Sequence, residues 1–259
     1  ICALAENDEL PSAYNGDKDA TIKGLYASYP LPVGEANLSG YYLRAVENDP
    51  NKDLRDVNNV LGFKVDGSME IASTLNYFFE YAKQSGDVNT TTVTRDASAL
   101  RLGGGYKTEL ASLGAVAVEG SYLSMSGDDG KDAKKQKAYT GILPSYNYFS
   151  AMLTEGVIAL EDIEDTGLKA LNLNGSISPD ALEGVTLGFG YTKFTSAEKI
   201  TVGADKKDDL GSEIDLTCGY KYNDKTNIDL TYARFSPGDA TQKDGDSASM
   251  LKCQLVTKF

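Results

Sequence analysis

Histidine is absent from this chain, and with it any Ser-His-Asp triad and any His-ligated metal. Tryptophan is absent too, so the 16 tyrosines are left to supply aromatic girdles at a membrane interface, each with an apolar body and a polar tip. The three cysteines, Cys2, Cys218 and Cys253, are odd in number and lack metal-ligand spacing. Cys218 and Cys253 fall on apolar positions two strands apart, too distant to bridge when strands lie about 4.8 Å apart. They read as small apolar fillers. No run approaches the roughly 18–20 apolar residues of a membrane helix. Positive charge is scarce, with 25 Lys and Arg against 38 Asp and Glu, a net charge of −13 and a pI near 4.5. Such a chain repels nucleic acid, which is excluded as a partner. The chain opens on Ile1 without the basic and apolar regions of a signal peptide, and is expected to be a mature chain or a fragment.

What is present is alternation. In the closing stretch, Ile214, Leu216, Cys218, Tyr220 and Tyr222 alternate with Glu213, Asp215, Thr217, Gly219 and Lys221. Ile228, Leu230 and Tyr232 alternate with Asp229, Thr231 and Ala233. Leu251, Cys253, Leu255, Thr257 and Phe259 alternate with Met250, Lys252, Gln254, Val256 and Lys258. Period two over about ten residues, with one apolar face, is the pattern of a transmembrane β-strand. It recurs at residues 20–29, 37–46, 57–65, 71–81, 97–107, 116–122, 171–177 and 185–192, and residues 1–6 resemble the tail of one more. The connections have a rhythm. Short turns are expected near 31–35, 66–70, 109–113, 179–184 and 223–226, and long loops near 7–19, 47–56, 83–95, 124–165, 196–210 and 236–247. Outer-membrane barrels have short turns on the periplasmic side and long loops outside. The expected fold is therefore all-β: an up-and-down antiparallel transmembrane β-barrel of about 12 strands. One barrel domain over residues 1–259 is expected. A soluble β-sandwich also uses alternating strands, but strand length and turn rhythm favour the barrel.

The face opposite the apolar one is small and polar, as a water-filled lumen requires. Its charges are Lys64, Glu80, Arg101, Lys107, Glu119, Glu213, Asp215, Lys221, Asp229 and Lys252. They are candidates for lining a pore and setting its ion selectivity, or they pair across strands and stabilise the wall. The aromatic segment Tyr139 to Phe149 either folds inward and constricts the channel or caps the rim. Acidic clusters at Asp128, Asp129, Asp132 and at Glu161, Asp162, Glu164, Asp165 read as solvated loops. A divalent-cation site is the sharper alternative.

Several pieces resemble the alginate-export family of outer-membrane porins. They are LGFKVDGSMEIASTLNYFFEYAKQSGDVN (61–89), VEGSYLSMSGDD (118–129), YTGILPSYNYFSAM (139–152), LGSEIDLTCGYKYNDKTNIDLTYARFSPGD (210–239) and the tail SMLKCQLVTKF, together covering roughly residues 57–259. The resemblance implies a monomeric barrel, integral to the bacterial outer membrane and surrounded by its lipid, that passes small solutes or a polysaccharide. Phe259 resembles the terminal aromatic residue by which assembly machinery recognises such barrels. Family members are usually longer, so an N-terminal portion of the barrel is expected to be missing. No cofactor and no metal is implied. Two other classes stay open. A barrel can sheathe a partner such as a secreted polymer or a redox protein. An outer-membrane hydrolase would have to rely on carboxylates such as Glu213 and Asp215, about 6.8 Å apart along one strand.

Overall fold

The computed structural model describes residues 19–32, 35–49, 54–70, 72–88, 92–140, 151–154, 163–241 and 246–258. Its strands are β1 (Asp19–Leu31), β2 (Ala36–Asp49), β3 (Leu54–Glu70), β4 (Thr74–Asp87), β5 (Thr94–Leu110), β6 (Gly114–Met125), β7 (Lys135–Gln136), β8 (Leu168–Ser178), β9 (Val185–Val202), β10 (Asp205–Asn223), β11 (Thr226–Pro237) and β12 (Ala248–Thr257). Two four-residue helices, α1 (Ala151–Thr154) and α2 (Ile163–Thr166), lie between β7 and β8. Apart from β7, the strands pair antiparallel in chain order from β1 to β12, an up-and-down meander. The short β7 runs parallel to the start of β5. Every long strand coincides with one of the complete alternating stretches of the sequence. The partial strand expected at residues 1–6, and Phe259, lie outside the described residues.

Three stretches expected as long loops are largely strand. β2 and β3 stay paired up to Asp49 and Leu54, and β4 and β5 up to Asp87 and Thr94. β9 and β10 meet at Val202 and Asp205, with only Gly203 and Ala204 between them. The ladder outlasts the apolar pattern because backbone beyond the bilayer still needs its hydrogen bonds, while its side chains no longer need to suit lipid. The turn expected at Asp66–Ser68 is also strand: these residues pair with Phe78, Tyr77 and Asn76. Gly67 is small there because a Cβ would lie 2.7 Å from the Tyr77 hydroxyl. The chain turns after Glu70, where Ala72 takes a φ of +62°.

The outward face is a continuous apolar band, with Leu25, Leu61, Phe79, Leu102, Leu173, Phe189, Leu216, Leu230 and Leu251 exposed. Tyrosines bound it on both sides. Tyr29, Tyr77, Tyr106 and Tyr220 lie toward the short turns. At the other rim, every strand ascending from a turn ends its apolar series on tyrosine: Tyr42 on β2, Tyr81 on β4, Tyr122 on β6, Tyr191 on β9 and Tyr232 on β11. The register fixes their relative height. Tyr42 faces Leu61, which faces Lys83, two residues past Tyr81. Tyr81 leads through Leu100 to Ser124, two past Tyr122. Tyr122 leads through Leu171 to Lys193, two past Tyr191. Tyr191 leads through Ile214 to Arg234, two past Tyr232. The girdle slips two residues for every two strands. At about 3.4 Å per residue and 4.8 Å between strands, a level girdle requires a strand tilt of about 35°, the tilt of membrane barrels.

The inner face divides into two halves. Toward the turns it is small and polar, with Asn174, Ser176, Thr186, Thr217 and Thr231, as expected. Toward the loops, on β6 to β11, it is apolar instead. Leu123 and Met125 (β6), Leu168 and Ala170 (β8), Phe194 (β9), Leu210 (β10) and Ala233 and Phe235 (β11) form one buried cluster with Met152 of α1. Tyr139 and Ala151 pack against this cluster as well.

Candidate functional site

All ten charged residues singled out from the sequence lie on the inner face, set there by the same parity that turns the tyrosines outward. Lys64, Glu80 and Arg101 form one lateral row. Within it, Lys64 pairs with Asp66 at 3.0 Å, Glu80 accepts the Tyr41 hydroxyl at 2.7 Å, and the Arg101 guanidinium lies 4.6 Å above the centre of the Phe78 ring. Some of these charges are therefore paired within the wall. Lys221 bonds to Asp224 at 2.7 Å in the β10–β11 turn. Lys107, Glu119 and Asp229 are exposed, and Asp215 and Lys252 are half-buried. Glu213 is fully buried, and its Oε1 accepts the Met152 N–H at 3.0 Å. That carboxylate faces Met152 rather than open water.

Two cavities share Thr217 and Thr231 on this face. One, of about 380 Å³, is lined by Glu119, Ala151, Asn174 and Asp215. The other, of about 450 Å³, lies nearer the turns beside Thr186, Lys221 and Asp229. Together they adjoin along the β6–β11 wall below α1, with Thr, Asn, Asp, Glu and Lys side chains in a mixed lining.

A latch on the opposite wall was not anticipated. Arg95 donates twice to Asp56, at 2.9 and 2.7 Å, and also to Gln136 at 2.8 Å and Thr140 at 3.1 Å. Gln84 accepts the Thr140 N–H at 3.1 Å and donates to its carbonyl at 2.5 Å, and Asn58 also reaches that carbonyl. Asp56, Asn58, Gln84 and Arg95 all project from the inner face of β3, β4 and β5. The described residues on either side of 141–150 thus reach the inner face: Thr140 bonds to β3 and β4, Tyr139 and Ala151 pack against the buried cluster, and Met152 bonds to β10. The residues between, 141–150, lie outside the described set.

The acidic connection is neutralised from within. Asp129 binds Lys137 at 2.8 Å and Lys131 at 2.9 Å. The hydrogen bond from Lys137, then that from Lys131, holds its carboxyl well below the usual carboxylate range. Asp128 accepts the Gly130 and Lys137 amides, and Asp132 the Lys134 amide. Among the described residues no three acidic or Cys side chains converge on a metal position. Cys218 and Cys253 are free, on the outward faces of β10 and β12 with Leu230 between them. Cys2, Glu161 and Asp162 fall outside the described residues.

A tilted meander with an apolar, tyrosine-bounded outward band and a partly polar interior defines an integral β-barrel of the bacterial outer membrane. The chain belongs to the alginate export family, whose model matches residues 13–252. The match begins upstream of the segment in which the resemblance is carried by motifs. In fold the chain is similar to Pseudomonas aeruginosa OccK5 (OpdH), with 17% identity, a TM-score of 0.55, and 99% of this chain matched to 63% of that one. It thus spans less than two thirds of that structure's length. Pseudomonas aeruginosa OccK11 (OpdR) matches at 14% identity and a TM-score of 0.46, over 100% of this chain and 70% of that one. Pseudomonas aeruginosa OccK3 (OpdO) matches at 14% and 0.46, over 96% and 69%. No curated protein matches the chain.

Proposed function

We propose that this chain forms a passive, non-enzymatic channel for small hydrophilic solutes, including short oligosaccharides. The observation that carries this reading is the pair of adjoining cavities along the inner wall below α1, with Thr186, Thr217, Thr231, Asn174 and Glu119 in their lining. In this reading α1 and the latched residues 135–140 narrow the loop half and filter by size. Glu119, Asp215 and Asp229 on one wall, against Arg101 and Lys107 on the other, set a transverse field that filters by charge. The three carboxylates favour neutral or cationic solutes over a polyanion such as alginate. A barrel that sheathes a partner wants a wide, unobstructed lumen, and the burial of Met152 in the inner cluster speaks for a channel instead. The burial of Glu213 beneath Met152 supports a non-enzymatic role, because it removes one member of the only carboxylate pair considered for hydrolysis.

We further propose a monomeric, single-domain barrel that assembly machinery recognises through Phe259. Phe259→Ser should then lower the yield of inserted protein more than any inner-face substitution, and equal insertion would refute that role. The channel is tested by single-channel recording in a planar bilayer under a salt gradient. Stable stepwise conductance is expected, with a reversal potential that shifts toward anions in the double variant Glu119→Gln/Asp229→Asn. Folded, inserted protein without conductance would overturn the reading.

A further inference from the structure

We propose that the loop-end rim of the barrel wall binds the phosphate groups of lipids in the surrounding leaflet. The rim is defined by the first outward residue beyond the apolar band on each long strand. On four of the five ascending strands one pattern repeats: Tyr42-Leu43-Arg44, Tyr81-Ala82-Lys83, Tyr191-Thr192-Lys193 and Tyr232-Ala233-Arg234. On the descending strands, Lys23 follows Leu25 and Lys169 follows Leu171 in the same position, with Lys23 directly opposite Arg44. The remaining rim positions are Asn59, Ser98, Ser124, Ser212 and Ser249. These eleven positions themselves hold six cations, five neutral donors and no carboxylate. Six charged positions filled in proportion to a composition of 38 acids and 25 bases would hold between three and four acids. Among the described strand residues, the outward positions at the turn-end girdle carry no Lys or Arg.

Height and pairing agree with this assignment. Each cation sits two residues beyond an interfacial tyrosine or leucine, about 6.8 Å along a tilted strand and so about 5–6 Å above the girdle. A lysine or arginine at that level keeps its stem on apolar surface and lifts its charge to the headgroups. Asp96 and Asp209 neutralise Lys83 and Lys193. Lys23, Arg44, Lys169 and Arg234 have no carboxylate partner among the described residues. Guanidinium, ammonium, hydroxyl and amide donors at one level suit phosphate oxygens. The rim is at the end that carries the long β6–β8 and β11–β12 connections, and long connections face outward in barrels of this kind.

The test is native mass spectrometry of the detergent-purified chain. The protein is mixed with a bis-phosphorylated diglucosamine lipid and an equimolar amount of the same lipid stripped of both phosphates. The wild type should retain the phosphorylated lipid at least tenfold in preference. The triple variant Lys23→Gln/Arg44→Gln/Lys169→Gln should lose at least fivefold of that retention while keeping heat-modifiable migration on gels, and Lys23→Arg/Lys169→Arg should retain it. Equal retention of the two lipids by the wild type, or an unchanged preference in a folded triple variant, would overturn the proposal. Should the triple variant fail to fold, the wild-type preference between the two lipids still decides.

Discussion

The backbone N–H of Met152 donates to Glu213 Oε1 at 3.0 Å, and both residues are fully buried. A charged wall residue thus fixes the backbone of a connection inside the barrel, and the Met152 side chain fills the space among Leu123, Phe194 and Phe235. Truncating a buried methionine usually costs about 2–5 kcal/mol, depending on how far the site collapses. Met152→Ala is expected to lower the thermal midpoint of the interior packing and to raise single-channel conductance. An unchanged conductance would place the narrowest point elsewhere.

Arg95 and Asp56 carry the other attachment. Their side chains are 9% and 16% exposed, so water screens the pair little, and removing one partner strands the other. For buried pairs such a loss runs to about 3–5 kcal/mol, and the residual exposure here puts the expectation at the low end. Arg95→Ala and Asp56→Ala should each destabilise the docked segment, and the double variant should cost clearly less than their sum. Additive losses in a thermal-denaturation cycle would mean that the two residues act separately.

The strands were legible because the constraint that makes them is periodic. Lipid on one side imposes an apolar residue at every second position, and Leu187, Phe189 and Tyr191 display it without tertiary information. The inner core was harder to see because its signal is a change of parity. On β9 the apolar series leaves the odd positions and resumes at Phe194. On β11 it passes from Tyr232 to Ala233 and Phe235, and on β8 Leu168 and Ala170 precede Leu171 and Leu173 in the opposite parity. Each switch marks the height at which the bilayer ends and a packed interior begins. The latch left no local trace. Asp56 and Arg95 lie 39 residues apart in the chain, on stretches whose lost alternation read as loop, and only the ladder brings them together. Parity alone put the candidate charges on the face opposite the apolar band, but the cover over Glu213 comes from a connection that has no period.

Gly62 tests how tightly the inner wall is packed. A Cβ there would fall 2.2 Å from the Tyr41 ring, and the Tyr41 hydroxyl is the donor to Glu80. Gly62→Ala should push Tyr41 off its site and release Glu80 toward the lumen. The expected outcome is a lower unfolding temperature together with a shift of the reversal potential toward cations. Tyr41→Phe, which removes only the hydroxyl, should reproduce the second effect with little of the first. If both variants leave the reversal potential where it is, Glu80 does not face the ion path.

Asp129 gives the acid-side prediction. Its carboxyl is held below the ordinary range by Lys137 first and Lys131 second, and Lys137 leads directly into the docked Tyr139 and Thr140. A group whose folded pKa is depressed contributes stability that is present above the unfolded value, near 3.9, and lost as pH falls through the folded value. The bridges should therefore survive from pH 7 to pH 4, and loosen only below the range in which free carboxylates protonate. Amide exchange of residues 126–140 measures this directly, with protection at pH 4 comparable to that at pH 7 after correction for the intrinsic rate. Asp129→Asn should remove that protection at both pH values. Because the bridges are at the surface, added salt should weaken them as well. Early loss of protection between pH 5 and pH 4 would show that another carboxylate, with an ordinary affinity for protons, holds the segment in place.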